Sequence, residues 1–201
     1  MGYNALADLT TGGHNLAIGT GVLQHCVDGG ANIGIGAGAL DDWDVGGGTS
    51  DTVDGSAHNL MIGVDAGGGA WTNVVSAYNV GIGNYVMDAA MDGANHNVAL
   101  GYAALGSLTT VGLTTGAGNV AIGGYFNASY VGAMAASTAG QDCVAIGTAA
   151  FQTANHTSND GTVAIGWGAC RVQAGASGSQ FDNATVGIGY KALYALTTGA
   201  G

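Results

Sequence analysis

Short stretches in which Val, Leu or Ile alternates with Ala or Gly recur along the whole chain. In one copy, Asn97-Val98-Ala99-Leu100-Gly101, Val98 and Leu100 fall on one side of an extended segment, and Ala99 and Gly101 fall on the other. Period-two alternation with β-branched residues predicts a strand, whereas a helix needs apolar spacings of three and four. Gly disfavours helices, and every acidic residue of the chain is Asp, a weak helix former. The pattern therefore predicts an all-β fold.

The same unit returns at a nearly regular spacing. A partial copy opens at Gly2 and nine full copies follow up to Gly189, so nine steps span 187 residues, a mean period of about 21 that is typical of solenoids. One repeat cannot bury its own apolar face, but repeats stacked in register share a continuous core. Residues 1–201 are therefore predicted to form a single parallel β-solenoid, a β-roll of about nine to ten short coils. The repeat glycines are Gly19, Gly36, Gly63, Gly83, Gly101, Gly123, Gly147, Gly166 and Gly189.

We expect the two faces of each strand to have different surroundings. We expect the Val/Ile side, for example Val98 and Leu100, to form the buried core. The other side carries Ala, Gly or Met before the last apolar residue and Gly after it, where a solvated strand would carry polar residues. Such a smooth ridge suits the close approach of another backbone. It is consistent with tight packing inside one chain, and we favour contact between identical chains around a three-fold axis.

Six copies begin with Asn, for which we expect a structural role. Asn tolerates left-handed backbone and bonds its own main chain in tight turns, and stacked Asn side chains can also form ladders. Cys170 stands where another copy has Leu105, which predicts a buried thiol, and the three cysteines show no metal-binding spacing. The repeat Asn residues are Asn15, Asn32, Asn59, Asn79, Asn97 and Asn119, with Cys143, Thr162 and Thr185 in their place in the last three copies.

The repeat resembles two related families. The Asn-Val-Ala-Ile-Gly coils resemble the head β-roll of trimeric autotransporter adhesins of the YadA type. The longer unit, seen at residues 2–15 and 189–199, is similar to the "GYxAL…TTG…N" repeats of bacteriophage tail fibres and related viral adhesins. The resemblance covers nearly the whole chain. It implies a homotrimer of left-handed parallel β-rolls on a virion, outside the cell, without a catalytic residue, and we expect the chain to be a fragment of a longer fibre.

The charge balance is strongly acidic. Only Arg171 and Lys191 are basic, against 13 Asp, for a net charge of −11. Such a chain repels nucleic acid and anionic lipid. No run of about 20 apolar residues occurs, as a membrane span would need. We therefore expect neither a nucleic-acid partner nor membrane insertion.

The longest insertion lies between Gly36 and Gly63 and holds five of the 13 Asp. Carboxylates on a Gly-rich loop can bind Ca²⁺, which takes about six to eight oxygen ligands. The spacing of an EF-hand and the motif of calcium β-rolls are both missing. Calcium binding and a solvated surface loop remain alternative interpretations, and no other cofactor is expected. The acidic residues are Asp41, Asp42, Asp44, Asp51 and Asp54.

Aromatic residues in the insertions are candidate ligand contacts. Trp43, Trp71 and Tyr130 lie in loops, which on solenoids project from one face and often bind. Exposed rings stack on sugars, but they also cover the open edge of a coil, and both interpretations stand. His14, His58 and His96 share one repeat position. Alternate coils, about 9.6 Å apart, are too distant for two of these imidazoles to share a metal within one chain, so we expect turn or interface packing. A three-chain axial metal site is the alternative.

Three functions compete at this point. The expected one is a structural and adhesive segment of a trimeric viral tail fibre, in contact with a host-surface glycan or protein. The alternatives are the head of a bacterial trimeric autotransporter adhesin and a fibre-borne polysaccharide depolymerase that uses loop carboxylates such as Asp41, Asp42 and Asp44. We predict no enzyme, because the chain carries no nucleophile elbow, zinc motif or recurring carboxylate pair.

Overall fold

The computed structural model describes residues 2–41, 56–69, 75–89, 93–106, 117–124, 132–136, 141–154, 160–173 and 185–196. Within these ranges the regular secondary structure consists of strands. Nine strands have three residues each, and three have two residues each. They are β1 (Leu16–Ile18), β2 (Ile33–Ile35), β3 (Leu60–Ile62), β4 (Val80–Ile82), β5 (Val98–Leu100), β6 (Val120–Ile122), β7 (Val144–Ile146), β8 (Thr153–Ala154), β9 (Val163–Ile165), β10 (Val172–Gln173), β11 (Val186–Ile188) and β12 (Ala195–Leu196).

Nine strands form one parallel sheet whose order follows the chain, β1-β2-β3-β4-β5-β6-β7-β9-β11. Each residue pairs with the same repeat position in the next strand; Val98, for example, pairs with Val120, and Ala99 with Ala121. The other three strands form a second parallel sheet in the order β12-β10-β8. The predicted parallel β-solenoid is confirmed. Eight spacings of about 4.8 Å make the main sheet about 38 Å long.

The expected assignment of the strand faces is wrong. The middle residue of each strand in the main sheet is buried, and the residues on either side of it are half-buried or exposed. Ala99 and Ala121 have no exposed surface, whereas Ile18 is 48% exposed. A Cβ added to Gly34 would lie 2.5 Å from a methyl carbon of Val22. The Ala/Gly ridge therefore faces the inside of the coil, and the Val/Ile side faces outward.

The volume of the side chains on the rest of the coil explains this inversion. Large residues from the segment that follows each repeat glycine fill the interior, so the strand can contribute only small ones. Met61 is the exception among the strand positions, and its two strand partners, Gly34 and Gly81, are both Gly. Cys170 is fully buried, which confirms the predicted core thiol. The large fully buried residues outside the strands are Val22, Leu23, Leu40, Val86, Met87, Leu105, Met134 and Phe151.

The repeat Asn side chains form a buried ladder along the stack. The Oδ1 atom of Asn97 accepts hydrogen bonds from the backbone N–H of Asn119 at 3.0 Å and from its Nδ2 at 3.1 Å. Asn79 bonds Asn97 in the same way. The left-handed backbone lies at the residue before the Asn, as at His96 with φ of 59°. The ladder interpretation is thus right, and the expectation of left-handed Asn at these positions is wrong.

The ladder changes its chemistry near the last repeats. The backbone N–H of Cys143 still donates to Asn119 Oδ1, at 3.1 Å. Thr162 follows, fully buried, and its Oγ1 atom has no hydrogen-bond partner in the described part of the chain. A buried hydroxyl without a partner costs stability.

The repeat glycines permit a close contact between successive coils. Gly83 has a φ of 143°, and a Cβ there would lie 2.4 Å from the carbonyl oxygen of Gly101. Gly63 stands in the same relation to Gly83, at 2.3 Å. The close backbone approach predicted from the Gly positions therefore occurs inside one chain.

Candidate functional site

The outward side of the main sheet forms a long surface of apolar side chains. Each of its nine strands contributes its first and third residues, eighteen in all, and every one is Val, Leu or Ile. We call this surface the outer apolar face. Most of these side chains are half-buried against the equivalent side chains of neighbouring strands. The exposed fraction is highest at the ends of the sheet and reaches 65% at Ile188. The two columns of this face are Leu16, Ile33, Leu60, Val80, Val98, Val120, Val144, Val163, Val186 and Ile18, Ile35, Ile62, Ile82, Leu100, Ile122, Ile146, Ile165, Ile188.

A column of stacked rings lies at the repeat position just before the ladder Asn. The Tyr78 ring stacks on His58 with centroids 4.9 Å apart, and on His96 with centroids 5.0 Å apart. All three residues are exposed. Because Tyr78 separates the two imidazoles, they pack on a ring instead of converging on an ion. The packing interpretation is right for these two His, and the three-chain metal site remains a prediction.

Carboxylates from two repeats, Asp41 and Asp88, lie close to Gly68. A Cβ added to this Gly would lie 3.1 Å from Asp41 Oδ1 and 3.2 Å from Asp88 Oδ1. Burial, and after it the negative charges of Asp65 and Asp41, together raise the pKa of Asp88 from its ordinary value of 3.8 to about 6. These groups repel one another and favour a proton on Asp88.

The insertion residues singled out from the sequence fall mainly outside the described residues. Of the predicted calcium ligands only Asp41 is described, and Asp42, Asp44, Asp51 and Asp54 lie outside. In the described ranges, no group of three His, Cys or Asp side chains is placed to hold a metal ion. Calcium in the insertion stays a prediction. The three predicted ligand aromatics, Trp43, Trp71 and Tyr130, also lie outside the described residues.

The buried thiols are poor nucleophiles. Burial raises the pKa of Cys143 to about 11, and hydrogen bonds from backbone groups of Thr162 and Gly161 oppose this only in part. Burial alone raises the pKa of Cys170 to about 11. Since the reactive form is the thiolate, both side chains act as small core residues at neutral pH.

The two basic residues of the chain meet in one cluster of aromatic rings. The Lys191 Nζ atom lies 5.3 Å from the ring centroid of Trp167, 5.5 Å from that of Tyr190 and 5.2 Å from that of Tyr194. The Arg171 guanidinium carbon lies 5.3 Å from the Tyr194 centroid. We call these five residues the cationic aromatic cluster.

Repeat position explains how this cluster forms. Trp167 and Tyr190 each follow a repeat glycine, and their rings stack with centroids 5.2 Å apart. Gly168 precedes Lys191 by one repeat and leaves room beside the Lys191 and Tyr194 side chains. The cluster was not predicted from the sequence, because the aromatic residues were considered loop by loop and not by their position in the repeat. Alignment of the repeats would have placed Trp167 directly under Tyr190.

Comparison with known proteins identifies no relative of this chain, so its function is inferred from the structure. No protein-family model, curated protein or solved structure matches the chain. Among the described residues, no helical segment has the length and apolarity needed to cross a membrane. The outer apolar face and the cationic aromatic cluster are the features from which a function can be inferred.

Proposed function

We propose that this segment is a structural and adhesive part of a trimeric viral tail fibre, located on the virion outside the cell, which contacts a host-surface glycan or protein. The observation that carries the proposal is the outer apolar face. It extends over all nine strands of the main sheet without a polar side chain. A contiguous apolar surface of this kind marks an interaction site.

The size of the face favours a permanent partner. Burying one Val, Leu or Ile side chain completely contributes about 1.5–3 kcal/mol. Eighteen side chains that are half-buried or exposed therefore offer a gain at least comparable with the net stability of a typical domain, about 5–15 kcal/mol. A face of this size is better suited to an obligate assembly than to a transient encounter.

The regularity of the face favours identical partners. Its side chains repeat at every strand, and successive strands pair in register from β1 to β11. Another copy, aligned in parallel, presents the same residues at the same spacing of about 4.8 Å. The face is only two residues wide, so three copies can bring their faces together around a three-fold axis. This route to the trimer replaces the one through the Ala/Gly ridge, which is buried inside each coil.

Light scattering on the intact protein tests the assembly. We expect a mass three times that of one chain, unchanged on dilution through the micromolar range. A monomer under these conditions would refute the proposal. A dimer would keep the face as an interface and refute its three-fold arrangement.

We propose that adhesion results from weak contacts that are repeated on each chain of the fibre. A trimer presents every site three times, and repeated sites raise overall avidity without new contacts. Trp43, Trp71 and Tyr130 are the proposed loop contacts, and their Ala variants should bind host cells less while forming trimers normally. Equal binding by these variants would leave the loops without an adhesive role. We propose no catalysis, so incubation with capsular polysaccharide should leave the polymer length unchanged.

A further inference from the structure

We infer that the cationic aromatic cluster is a binding site for a carboxylate-bearing sugar residue. This inference rests on the proposed adhesive function and names the chemical class of ligand. It concerns residues that the structure brings together: Trp167, Arg171, Tyr190, Lys191 and Tyr194.

The first step is charge. The chain carries 13 Asp and only two basic residues, and both of these lie against the ring of Tyr194, at 5.3 Å for Arg171 and 5.2 Å for Lys191. Among the described residues, no carboxylate lies within 4.0 Å of the Lys191 ammonium. Within the described part of the chain, the cluster is therefore a local reversal of sign on an acidic molecule. An anionic ligand is attracted here and repelled elsewhere.

The second step is the aromatic surface. The Tyr190 ring continues the stack begun by Trp167, and a ring at this repeat position stays exposed inside the stack as well, as Tyr102 does at 42%. The C–H face of a pyranose packs against such a ring and keeps its hydroxyls in water. Lys191 Nζ lies 5.5 Å from the centroid of the same ring, so a carboxylate on a sugar packed there comes within reach of the ammonium. A neutral sugar would form no ion pair with Lys191, and a simple anion would not pack against the rings.

The third step is rigidity. Arg171 Nε donates to Gln152 Oε1 at 2.9 Å, and its Nη1 donates to the Tyr194 hydroxyl. A Cβ added to Gly168 would lie 3.1 Å from Tyr194 Cε2 and 3.7 Å from Lys191 Cγ. The backbone of one repeat thus supports the side chains of the next. Groups fixed before binding lose less conformational freedom when a ligand arrives.

Titration of the intact protein with defined oligosaccharides tests this site. The acidic probes are an oligogalacturonate and sialyllactose, which separate a uronic acid source from a sialic acid source, and lactose is the neutral control. Binding of at least one acidic probe, at least tenfold tighter than lactose and weakened by raising NaCl from 50 to 500 mM, supports the inference. Equal binding of lactose, or no binding of either acidic probe, overturns it.

Variants locate the site and separate it from a structural role. Lys191→Gln and Tyr190→Ala should each weaken binding of the acidic probe at least tenfold without changing trimer mass. Tyr102→Ala is the matched control, because Tyr102 occupies the same repeat position as Tyr190 and is 42% exposed. Its binding should equal that of the parent. Full binding by Lys191→Gln overturns the inference.

The same variants distinguish this inference from the proposed function. Trimer mass and attachment to host cells test the adhesive fibre directly. If the parent forms trimers and attaches to cells but binds neither acidic probe, only the acidic-sugar site is wrong. If the parent neither forms trimers nor attaches to cells, the proposed function is wrong whatever the probes do.

Discussion

Three Asp side chains that interact electrostatically make one part of the solenoid sensitive to pH. Asp41, Asp65 and Asp88 come from successive repeats, and Asp88 is half-buried beside the other two. Its pKa is raised to about 6, first by burial and then by the charges of Asp65 and Asp41. The folded chain thus binds this proton more tightly than the unfolded chain does. The stability linked to Asp88 is fully present below pH 3.8 and is lost as the pH rises towards 6.

We predict that Asp88→Asn stabilises the protein at pH 7, because it removes a half-buried charge and its repulsion. The gain should shrink towards zero near pH 4, where the parent carries the proton. Thermal unfolding of both proteins across this pH range measures the difference. In the Asp65→Asn background the gain should be smaller, since one source of repulsion is already removed. An equal gain at pH 4 and pH 7 would contradict the assignment.

Thr162 marks the point where the buried ladder has a defect. Its hydroxyl is fully buried and has no partner within the described ranges. We predict that Thr162→Val, which keeps the shape and removes the hydroxyl, raises the free energy of unfolding by about 1 kcal/mol. Chemical denaturation gives this value. Asn97→Ala is the opposing control: it removes an acceptor of two hydrogen bonds and should cost about 1–3 kcal/mol. A loss of stability in Thr162→Val would show that its hydroxyl has a partner.

At the level of elements, alternation along the chain determines where the strands lie. The stretches of alternating apolar and small residues, such as Val98 to Leu100 and Val144 to Ile146, are the strands of the main sheet. Alternation cannot say which face is inside, because both faces are apolar. The interior volume decides, and it depends on residues such as Leu105 and Phe151 that lie outside the strands. Burial of the Val/Ile side, expected from hydrophobicity alone, was wrong for this reason.

The glycine column gives a prediction that separates two physical effects. Gly83 has a left-handed φ of 143° and would bring a Cβ within 2.4 Å of the Gly101 carbonyl oxygen. Gly189 has a φ of 125° but no heavy atom within 4 Å of an added Cβ, and Gly124 has neither restriction. We predict that Ala destabilises most at Gly83, less at Gly189 and least at Gly124. Melting temperatures of the three variants measure this order, and equal losses would refute the close contact between coils.

At the scale of the whole molecule, stacking of the coils places residues of the same repeat position one above another, so that they form a column. The Asn ladder, the glycine contacts and the ring column of His58, Tyr78 and His96 all arise because one residue lies above its counterpart. The cationic aromatic cluster arises in the same way, from Trp167 under Tyr190. A site of this kind can be found from sequence only after the repeats are aligned. What alignment does not supply is the side-chain direction that brings Arg171 and Lys191 to one ring.

Adjacent residues on opposite faces of β6 give the sharpest test of the whole assembly. Ala121 is fully buried inside the coil, whereas Ile122 belongs to the outer apolar face. Ala121→Asp places an unpaired charge in a closed interior and should prevent folding. Ile122→Asp places three like charges around the proposed axis and should separate the chains while each coil keeps its strands.

Circular dichroism and light scattering together read out both effects. For Ile122→Asp we expect a strand spectrum and the mass of one chain, and for Ala121→Asp the loss of the strand spectrum. Ile122→Leu is the matched control, because it keeps the position apolar and should remain trimeric. Folding of Ala121→Asp together with unfolding of Ile122→Asp would reverse the two faces. A trimer that persists in Ile122→Asp would place the interface elsewhere, since three carboxylates cannot remain charged and dry at one axis.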